Sequence, residues 1–224
     1  MPHRIAIYDM DKTITRDPTW TRFLRFAVAR NGRWRAAMWP AAGLATLAYG
    51  ARLIDRAGLK QATQRWMLGR SLGAAQAEAL AEGFADQLLA SGVLDGAQRR
   101  IAEDRAAGYR LVMATASYAF YVHAIARRLD FDDVIATGSE RGPDDAILPR
   151  IAGENCYGPA KLRMIEAWLV AEGIAREDAH VRFYSDHVSD APVLEWADEP
   201  FAVNAHGPLR ALAAARGWPL LDWR

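Results

Sequence analysis

The chain has 224 residues, of which 51% are hydrophobic, so it is long and apolar enough to bury a substantial core. Its formal net charge of +1 gives no argument for a nucleic-acid partner, and we expect none. The single cysteine, Cys156, excludes an internal disulfide and fits a reducing compartment. The first apolar run is too short for a secretory signal, so we expect a cytoplasmic protein.

The first predicted element is a strand over 5–8, a short apolar run typical of a strand buried in a parallel sheet. Asp9 and Asp11 follow it, at the edge where an open α/β sheet binds ligands. Beyond a strand end the backbone curls, so two carboxylates at this spacing can be aimed at one hard cation. Mg²⁺ suits such an incomplete set, since waters and phosphate oxygens complete its coordination. An Asp-rich turn is the alternative.

A run of helices is predicted after this strand. Asp17 is a candidate N-cap with Pro18 at the first helical position, and Asn31-Gly32 ends that helix. Two more amphipathic helices are predicted, at about 59–68 and 74–89. We therefore predict a small helical bundle inserted after the first strand. The predicted division is a helical cap over 17–91 and a core formed by 1–16 and 92–224.

Strands and helices alternate beyond Gly92, which predicts a parallel sheet wound in one handedness. The predicted helices span 96–107, 119–129, 159–171, 191–196 and 208–216. The predicted strands span 110–114, 133–137, 180–184, 200–203 and about 218–221. The turn-rich stretch 138–153 between them is predicted to be a hairpin. The fold class predicted is α/β, with a parallel Rossmann-like sheet and an inserted all-helical segment.

Polar residues also follow the second predicted strand, in the segment Thr115-Ala116-Ser117. A hydroxyl at a strand end, beside the backbone N–H groups of the following turn, can hold a phosphate oxygen. We assign that role to Thr115 and interpret Ser117 as an N-cap. Lys161, one turn into a predicted helix, can bring a positive charge to the same phosphate and to a nucleophilic carboxylate. A solvated surface lysine is the alternative.

A later predicted strand ends on carboxylates too, since Ser185-Asp186 follows it and Asp190 comes four residues further on. Asp186 can ligate a metal, and Asp190 can ligate it or orient other groups. The alternative for Asp190 is an N-cap. His187 is interpreted as a bystander, because hard Mg²⁺ prefers oxygen.

These segments in this order resemble the motifs of the haloacid dehalogenase superfamily of phosphohydrolases: Asp9–Thr13, Thr115, Lys161 and Tyr184–Asp190. An all-helical, C1-type cap between the first two motifs resembles subfamily IB, the phosphoserine phosphatase-like branch. The resemblance runs from Ile5 to the C-terminus, except for the details of the helical insertion.

The resemblance implies an Mg²⁺-dependent phosphatase that hydrolyses a phosphomonoester through an aspartyl-phosphate. It makes Asp9 the nucleophile and Asp11 the general acid and base. The implied phosphate-binding residues are Thr115, Ala116 and Lys161. The implied metal-binding residues are Asp9, Asp11, Asp186 and Asp190.

The sequence departs from this pattern in two places. Phosphoserine-hydrolysing relatives carry a Glu after the first motif to hold the substrate amine, where this chain has Arg16-Asp17-Pro18-Thr19, and Thr115-Ala116-Ser117 replaces their Ser-Gly-Gly. The substrate therefore stays open between a small metabolite such as phosphoserine and a lipid phosphate such as phosphatidylglycerophosphate. A phospho-acceptor signalling domain and a non-catalytic membrane-associated protein are the alternative functions.

One stretch of the cap has a composition that suits an anionic lipid interface. The segment 36–51 is uncharged and is flanked by arginines, with Trp34 and Trp39 near one end. Its 16 residues fall short of the roughly 20 that span a bilayer, and Pro40 interrupts it. Ordinary cap core is one expectation, and peripheral contact with the inner face of an anionic membrane is the other.

Overall fold

The computed structural model describes residues 2–224, without the side chains of Asn31 and Arg33. The strands within this range are β1 (His3–Tyr8), β2 (Arg110–Tyr118), β3 (Asp133–Arg141), β4 (Ile147–Ala152), β5 (Ala179–Ser185), β6 (Glu199–Val203) and β7 (Leu220–Leu221). They form one sheet in the order β4-β3-β2-β1-β5-β6-β7. Neighbouring strands are parallel except β3 and β4, which form the predicted hairpin. The predicted parallel α/β fold is confirmed.

Helices fill the connections between the strands. They are α1 (Thr19–Asn31), α2 (Trp39–Gly50), α3 (Arg56–Leu68), α4 (Ala74–Ser91), α5 (Asp95–Ala106), α6 (Ala119–Arg128), α7 (Pro159–Ala171), α8 (Ala191–Trp196) and α9 (Gly207–Arg216). Short 3-10 helices lie at Arg33–Met38, Pro143–Asp145, Arg176–Asp178 and Val188–Asp190. Helices α1 to α4 occupy the segment predicted to be helical. Within residues 2–224, no helix has both the length and the apolar run needed to cross a bilayer.

The central strand β1 is buried on both of its faces. Ala6 and Tyr8 pack into the cluster on one side of the sheet, and Ile5 and Ile7 pack into the cluster on the other side. A strand segment covered on both faces has no solvent-facing positions, so residues 5–8 are continuously apolar, whereas His3 and Arg4 at the start of β1 are exposed. This burial fixes β1 at the centre of the sheet.

A buried polar network joins β1 to β5 just before their carboxyl ends. The hydroxyl groups of Tyr8 and Tyr184 both donate to Asp104 Oδ2, over 2.6 and 2.8 Å. Arg182 donates to the other oxygen of this carboxylate over 2.6 Å. The two tyrosine rings stack at a centroid distance of 4.4 Å. Because both strands share one buried carboxylate, the residues that follow Tyr8 and Tyr184 are held side by side.

The two ends of the helical insertion are hydrogen-bonded to each other. Arg16 N donates to Gly92 O and Leu94 N donates to Ile14 O, both over 2.9 Å, around a bridge between Thr15 and Val93. The chain therefore leaves the sheet region and re-enters it through a short antiparallel ladder, which we call the insertion ladder (14–16 with 92–94).

Candidate active site

Asp9 and Asp11 lie in a tight turn at the end of β1. The carbonyl of Met10 accepts two backbone hydrogen bonds that close this turn. Lys12 has a φ of 62°, in the left-handed region that a residue with a Cβ seldom occupies. Asn204 donates to the Lys12 carbonyl over 2.9 Å, which holds that conformation in place. The turn folds the chain back, so both aspartates border one cavity of about 190 Å³.

All the residues predicted to form the site border this cavity, which we call the phosphate cavity. They are Asp9, Asp11, Thr115, Ala116, Lys161, Asp186 and Asp190. They come from the turn after β1, from β2, from the segment between β5 and α8, and from the start of α7. The carboxyl ends of parallel strands meet at one edge of the sheet, and this brings residues that are distant in sequence into one place.

Lys161 joins two of the aspartates. Its ammonium group donates to Asp9 Oδ1 over 2.8 Å and to Asp190 Oδ2 over 2.6 Å, and only 2% of the residue is exposed. Burial favours the neutral amine, but the Asp190 and Asp9 charges outweigh it and raise the pKa of Lys161. Lys161 is therefore a fixed positive charge, and the surface interpretation of this residue is wrong.

The aspartates outnumber the cation they surround. Burial, together with the Asp190 and Asp186 charges, raises the pKa of Asp9 to about 7, although Lys161 opposes this shift. Burial and the Asp190 charge likewise raise the pKa of Asp186 to about 6. Lys161 pairs with Asp9 and Asp190, and Lys12 and Arg56 are the other cations on the cavity wall. Four aspartates thus border the phosphate cavity against three cations.

Asp190 is positioned by Ser185 as well as by Lys161. Ser185 Oγ donates to Asp190 Oδ2 over 2.7 Å, and Asp190 Oδ1 is buried without a hydrogen-bond partner. Buried carboxylate oxygens normally have a partner, so this oxygen has capacity for a further donor or a cation. His187 Nδ1 lies 2.8 Å from Ser189 Oγ, so this ring nitrogen is engaged locally, in keeping with the prediction of a bystander.

The donor chemistry of the cavity fits Mg²⁺ as an ion shared with a ligand. No group of three or more His, Cys, Asp or Glu side chains within residues 2–224 is arranged to hold a metal by itself. Mg²⁺ in phosphate enzymes is usually held by one or two carboxylates, with waters and phosphate oxygens completing its coordination. Asp9 and Asp186 supply such carboxylates, and the unpartnered Asp190 oxygen lies in the same cluster.

Asp11 is held by hydroxyl groups from two other elements. Its Oδ1 accepts from the backbone N–H and the hydroxyl group of Thr19, each over 2.7 Å. Its Oδ2 accepts from Ser117 Oγ over 2.8 Å. The predictions that Asp17 and Ser117 are N-caps are both wrong, since neither side chain caps a helix. Asp11 instead binds the free N–H at the start of α1, because the turn after β1 brings its carboxylate there.

Thr115 and Ala116 lie where β2 passes the end of β1. Thr115 is buried, and its hydroxyl oxygen accepts from the backbone N–H of Ser117 over 3.1 Å. The carbonyl of Ala116 accepts from Thr137 Oγ1 over 2.8 Å and from Lys60 Nζ over 2.5 Å. These contacts fix the backbone of the segment that borders the phosphate cavity.

Lys60 is a site residue that the sequence analysis missed. It projects from α3 and is 7% exposed, and its ammonium group also donates to Asn155 Oδ1 over 3.0 Å. It lies 4.2 Å from the ring centroid of Tyr118, within cation–π range. Burial, with Arg56 nearby, lowers its pKa to about 7. The scarcity of lysine in this arginine-rich chain was the available signal.

The arrangement combines the parts that phosphoryl transfer needs. Asp9 offers a carboxylate oxygen, Asp11 a second carboxylate held apart from it, and Lys161 a fixed positive charge. Catalysis of this reaction depends on positioning and on compensation of charge at the phosphoryl oxygens.

Comparison with known proteins identifies a hydrolase family. A family model described as haloacid dehalogenase-like hydrolase matches residues 6–195. The inhibition of morphological differentiation protein of Streptomyces azureus is 35% identical over 131 residues, which are 58% of this chain and 46% of that protein. Phosphoserine phosphatase SerB1 of Mycobacterium tuberculosis is 30% identical over 156 residues, which are 70% of this chain and 49% of that protein. The chain spans about half the length of these curated relatives.

Solved structures share the fold. The crystal structure of a protein with unknown function from Bordetella pertussis Tohama I has a TM-score of 0.88 and 26% identity, with 100% of both chains covered. A substrate-bound phosphoserine phosphatase has a TM-score of 0.65 at 17% identity, with 99% of this chain and 93% of that chain covered. The second likeness concerns the fold alone. The family match covers most of the chain, and the protein belongs to the haloacid dehalogenase-like hydrolases, with a phosphoserine phosphatase-like fold.

Proposed function

We propose that this protein is an Mg²⁺-dependent phosphatase that hydrolyses a phosphomonoester through an aspartyl-phosphate on Asp9. The observation that carries the proposal is the position of Lys161, whose ammonium group bridges Asp9 and Asp190 in a cavity also bordered by Asp11 and Thr115. Residues 17–91 act as a cap over the core formed by 1–16 and 92–224.

Asp9 is the nucleophile. Lys161 occupies its Oδ1, whereas Oδ2 has only a 3.4 Å contact with Thr13 Oγ1. Oδ2 is therefore the oxygen that attacks phosphorus in line, forming the aspartyl-phosphate as the bond to the leaving oxygen breaks. Lys161 compensates the charge on the phosphoryl oxygens, and Thr115 with the backbone of Ala116 positions them.

Asp11 moves the protons. It gives a proton to the leaving oxygen in the first step and takes one from the attacking water in the second. Its hydrogen bonds to Thr19 and Ser117 hold it beside, rather than within, the cluster around Lys161. A phospho-acceptor signalling domain has no need of such a group, and the placement of Asp11 favours an enzyme over that alternative.

Mg²⁺ belongs to this proposal as the resident metal. Asp9 and Asp186 would hold it through their carboxylates, Asp11 would contribute its backbone carbonyl, and Asp190 would complete or orient the set. When bound, it neutralises charge on the phosphate and balances the excess of carboxylates in the cavity.

Phosphate release from p-nitrophenyl phosphate and from alkyl phosphates, with Mg²⁺ and then with EDTA, tests the function. Acid-quenched samples from a labelled substrate should contain a base-labile phosphoprotein during turnover. If no phosphomonoester is hydrolysed with Mg²⁺, the proposal fails. A phosphoprotein that forms and persists without turnover would favour the signalling alternative.

The location we propose is cytoplasmic, with peripheral contact between the cap and an anionic membrane. Trp34, Leu44, Leu47 and Leu53 are 65% to 77% exposed on or beside α2. Arg52 makes no ion pair within residues 2–224, so its charge is available to anionic headgroups. Flotation with anionic vesicles that is weakened by salt, without flotation by neutral ones, supports docking. Absence of binding to both leaves α2 as ordinary cap surface.

A further inference from the structure

A second cavity opens beside the phosphate cavity, enclosed by α1, α2 and α3 of the insertion. Its volume is about 490 Å³, within the range of roughly 300–1,000 Å³ that holds small organic ligands. We call it the side chamber. The two cavities share the lining residues Asp11, Pro18, Arg56 and Ala116. The two cavities therefore adjoin each other at these four residues.

The wall of the side chamber is largely apolar. The carbon-rich side chains that line it are Trp20, Leu24, Trp39, Ala42 and Leu59. Two of its threonine hydroxyl groups already donate to the backbone: Thr46 Oγ1 to Ala42 O over 3.0 Å, and Thr63 Oγ1 to Leu59 O over 2.8 Å. Thr21 and Tyr49 supply further hydroxyl groups, but the wall as a whole is apolar, and a polar ligand would lose much of its hydration on entry.

The charged side chains of the side chamber lie at the end that adjoins the phosphate cavity. They are Asp11, Arg56 and Lys60. Asp11 already accepts from Thr19 and Ser117, and Lys60 already donates to Ala116 and Asn155. Asp11 is the one acidic side chain on the wall, so an ammonium group of a substrate has no free carboxylate in the chamber. The remaining cation, Arg56, faces both cavities and suits the phosphate end of a ligand.

We infer that the substrate is the phosphomonoester of an apolar alcohol, whose phosphate lies next to Lys161 and whose apolar group fills the side chamber. This inference rests on the proposed function and narrows its substrate class. An amino-acid ester such as phosphoserine lacks the apolar group and carries an amine that the wall cannot pair.

Hydrolysis of n-alkyl phosphates in solution, with chains of four, six, eight and ten carbons, tests the inference alongside phosphoserine. We expect kcat/KM to rise by about fourfold for each methylene group that leaves water, until the chamber is full. A series that stays flat or falls, or phosphoserine turnover above that of hexyl phosphate, overturns the inference. Release of phosphate from none of these esters overturns the proposed function instead.

A pair of variants tests whether the dependence of kcat/KM on chain length arises in the side chamber. Gly43 borders the side chamber, and a Cβ added there meets no heavy atom within 4 Å. Gly50 lies on the same helix outside the chamber and has the same freedom. Gly43→Leu should lower kcat/KM for octyl phosphate at least tenfold and move the plateau to shorter chains. Gly50→Leu should keep the wild-type chain-length profile. If both variants show the same dependence of kcat/KM on chain length, the apolar group of the substrate does not fill the side chamber.

Two kinds of substrate carry such an apolar group: a soluble phosphate ester and a membrane lipid. Phosphatidic acid in phosphatidylcholine vesicles is compared with dodecyl phosphate in solution. Higher kcat/KM for the vesicle supports the inference with a bilayer-borne substrate, and higher kcat/KM for the soluble ester supports it with a free one. Turnover of neither, alongside rapid turnover of phosphoserine, overturns it.

Discussion

Lys60 Nζ, on helix α3 of the insertion, donates a hydrogen bond over 2.5 Å to the carbonyl oxygen of Ala116, at the edge of the phosphate cavity. Its second acceptor, Asn155, lies in the loop that leads to α7 and Lys161. One buried side chain of the insertion thus contacts strand β2 and the loop before α7. The hydrogen bonds of Lys60 therefore tie the backbone of Ala116 to the position of α3.

The Lys60 contact predicts a pH-dependent stability. Burial and Arg56 lower the pKa of Lys60 from 10.5 to about 7, and Asp11 and Cys156 oppose that shift. Between these values the unfolded chain binds the extra proton, so stability rises with pH. Wild type should therefore gain on the order of 2–4 kcal/mol relative to Lys60→Met between pH 7 and pH 10, measured by urea unfolding.

Arg65→Met, on the exposed face of the same helix, is the matched control for that experiment. It removes a long cationic side chain without removing a buried amine. Its unfolding free energy relative to wild type should not change over this pH range. A wild-type advantage over Lys60→Met that shrinks as pH rises would show that Lys60 stays charged in the folded protein.

Asp9→Asn and Asp11→Asn should fail in different ways. Asp9→Asn removes the attacking oxygen and should abolish the base-labile phosphoprotein. Asp11→Asn should still form it from p-nitrophenyl phosphate, whose leaving group needs no proton, and should then hydrolyse it slowly. Circular dichroism checks that both variants are folded. Near-normal turnover by Asp9→Asn would exclude the covalent mechanism.

The hydrogen bond from Ser117 to Asp11 should matter only where a proton is transferred. Ser117→Ala leaves one carboxylate oxygen of Asp11 without its donor, so the carboxyl group is less well oriented. We expect kcat for butyl phosphate to fall about tenfold, within the 10²–10⁴ that general acid catalysis supplies. Formation of the phosphoenzyme from p-nitrophenyl phosphate should change less than twofold. Equal losses on both substrates would point to a general structural defect.

Lys161→Met should destabilise the protein as well as inactivate it. It leaves Asp9 and Asp190 buried without their common cation, and breaking a buried ion pair costs roughly 3–5 kcal/mol. The double variant Lys161→Met/Asp190→Asn should recover part of this loss, because it removes one of the uncompensated charges. Urea unfolding of Lys161→Met, Asp190→Asn and the double variant measures the coupling between the two residues. Unfolding free energies that add strictly would show that there is none.

Mg²⁺ binding should be visible without any substrate. An ion that binds only the folded protein raises the unfolding free energy by about 2.7 kcal/mol at one hundred times its Kd. Thermal unfolding of wild type with increasing MgCl₂ should show a rising Tm, and Asp186→Asn should lose most of that rise. Asp178→Asn, at an exposed position, should retain it. A rise of equal size in all three proteins would place the ion elsewhere.

The sequence predicted the sheet edge because its signals are local. Asp9 and Asp186 each follow a short apolar run, and a strand that ends on a carboxylate can be recognised within a few residues. Alternating strands and helices predicted a parallel sheet, whose strands end at one common edge. That β1 and β5 are direct neighbours at this edge was seen only in the structure. Lys161 was recognised in the same way, from its position one turn into a helix.

The contacts that organise Asp11 and Ala116 could not be predicted locally. Ser117 and Asp11 are 106 positions apart, and a serine at a strand-to-helix junction is locally indistinguishable from an N-cap. Lys60 and Ala116 are 56 positions apart and belong to different parts of the fold. Such pairs depend on how the helical insertion lies on the sheet, which the periodicity of the sequence does not encode.

The insertion ladder (14–16 with 92–94) has a consequence for how this enzyme class can diversify. Because the ladder closes the insertion at its base, the distance between the two points of attachment does not depend on what lies between them. Residues of α2 can therefore be exchanged, lengthened or replaced while Asp9 and Lys161 keep their separation. Changes confined to α2 can alter the side chamber without touching the phosphate cavity, which no residue of α2 borders.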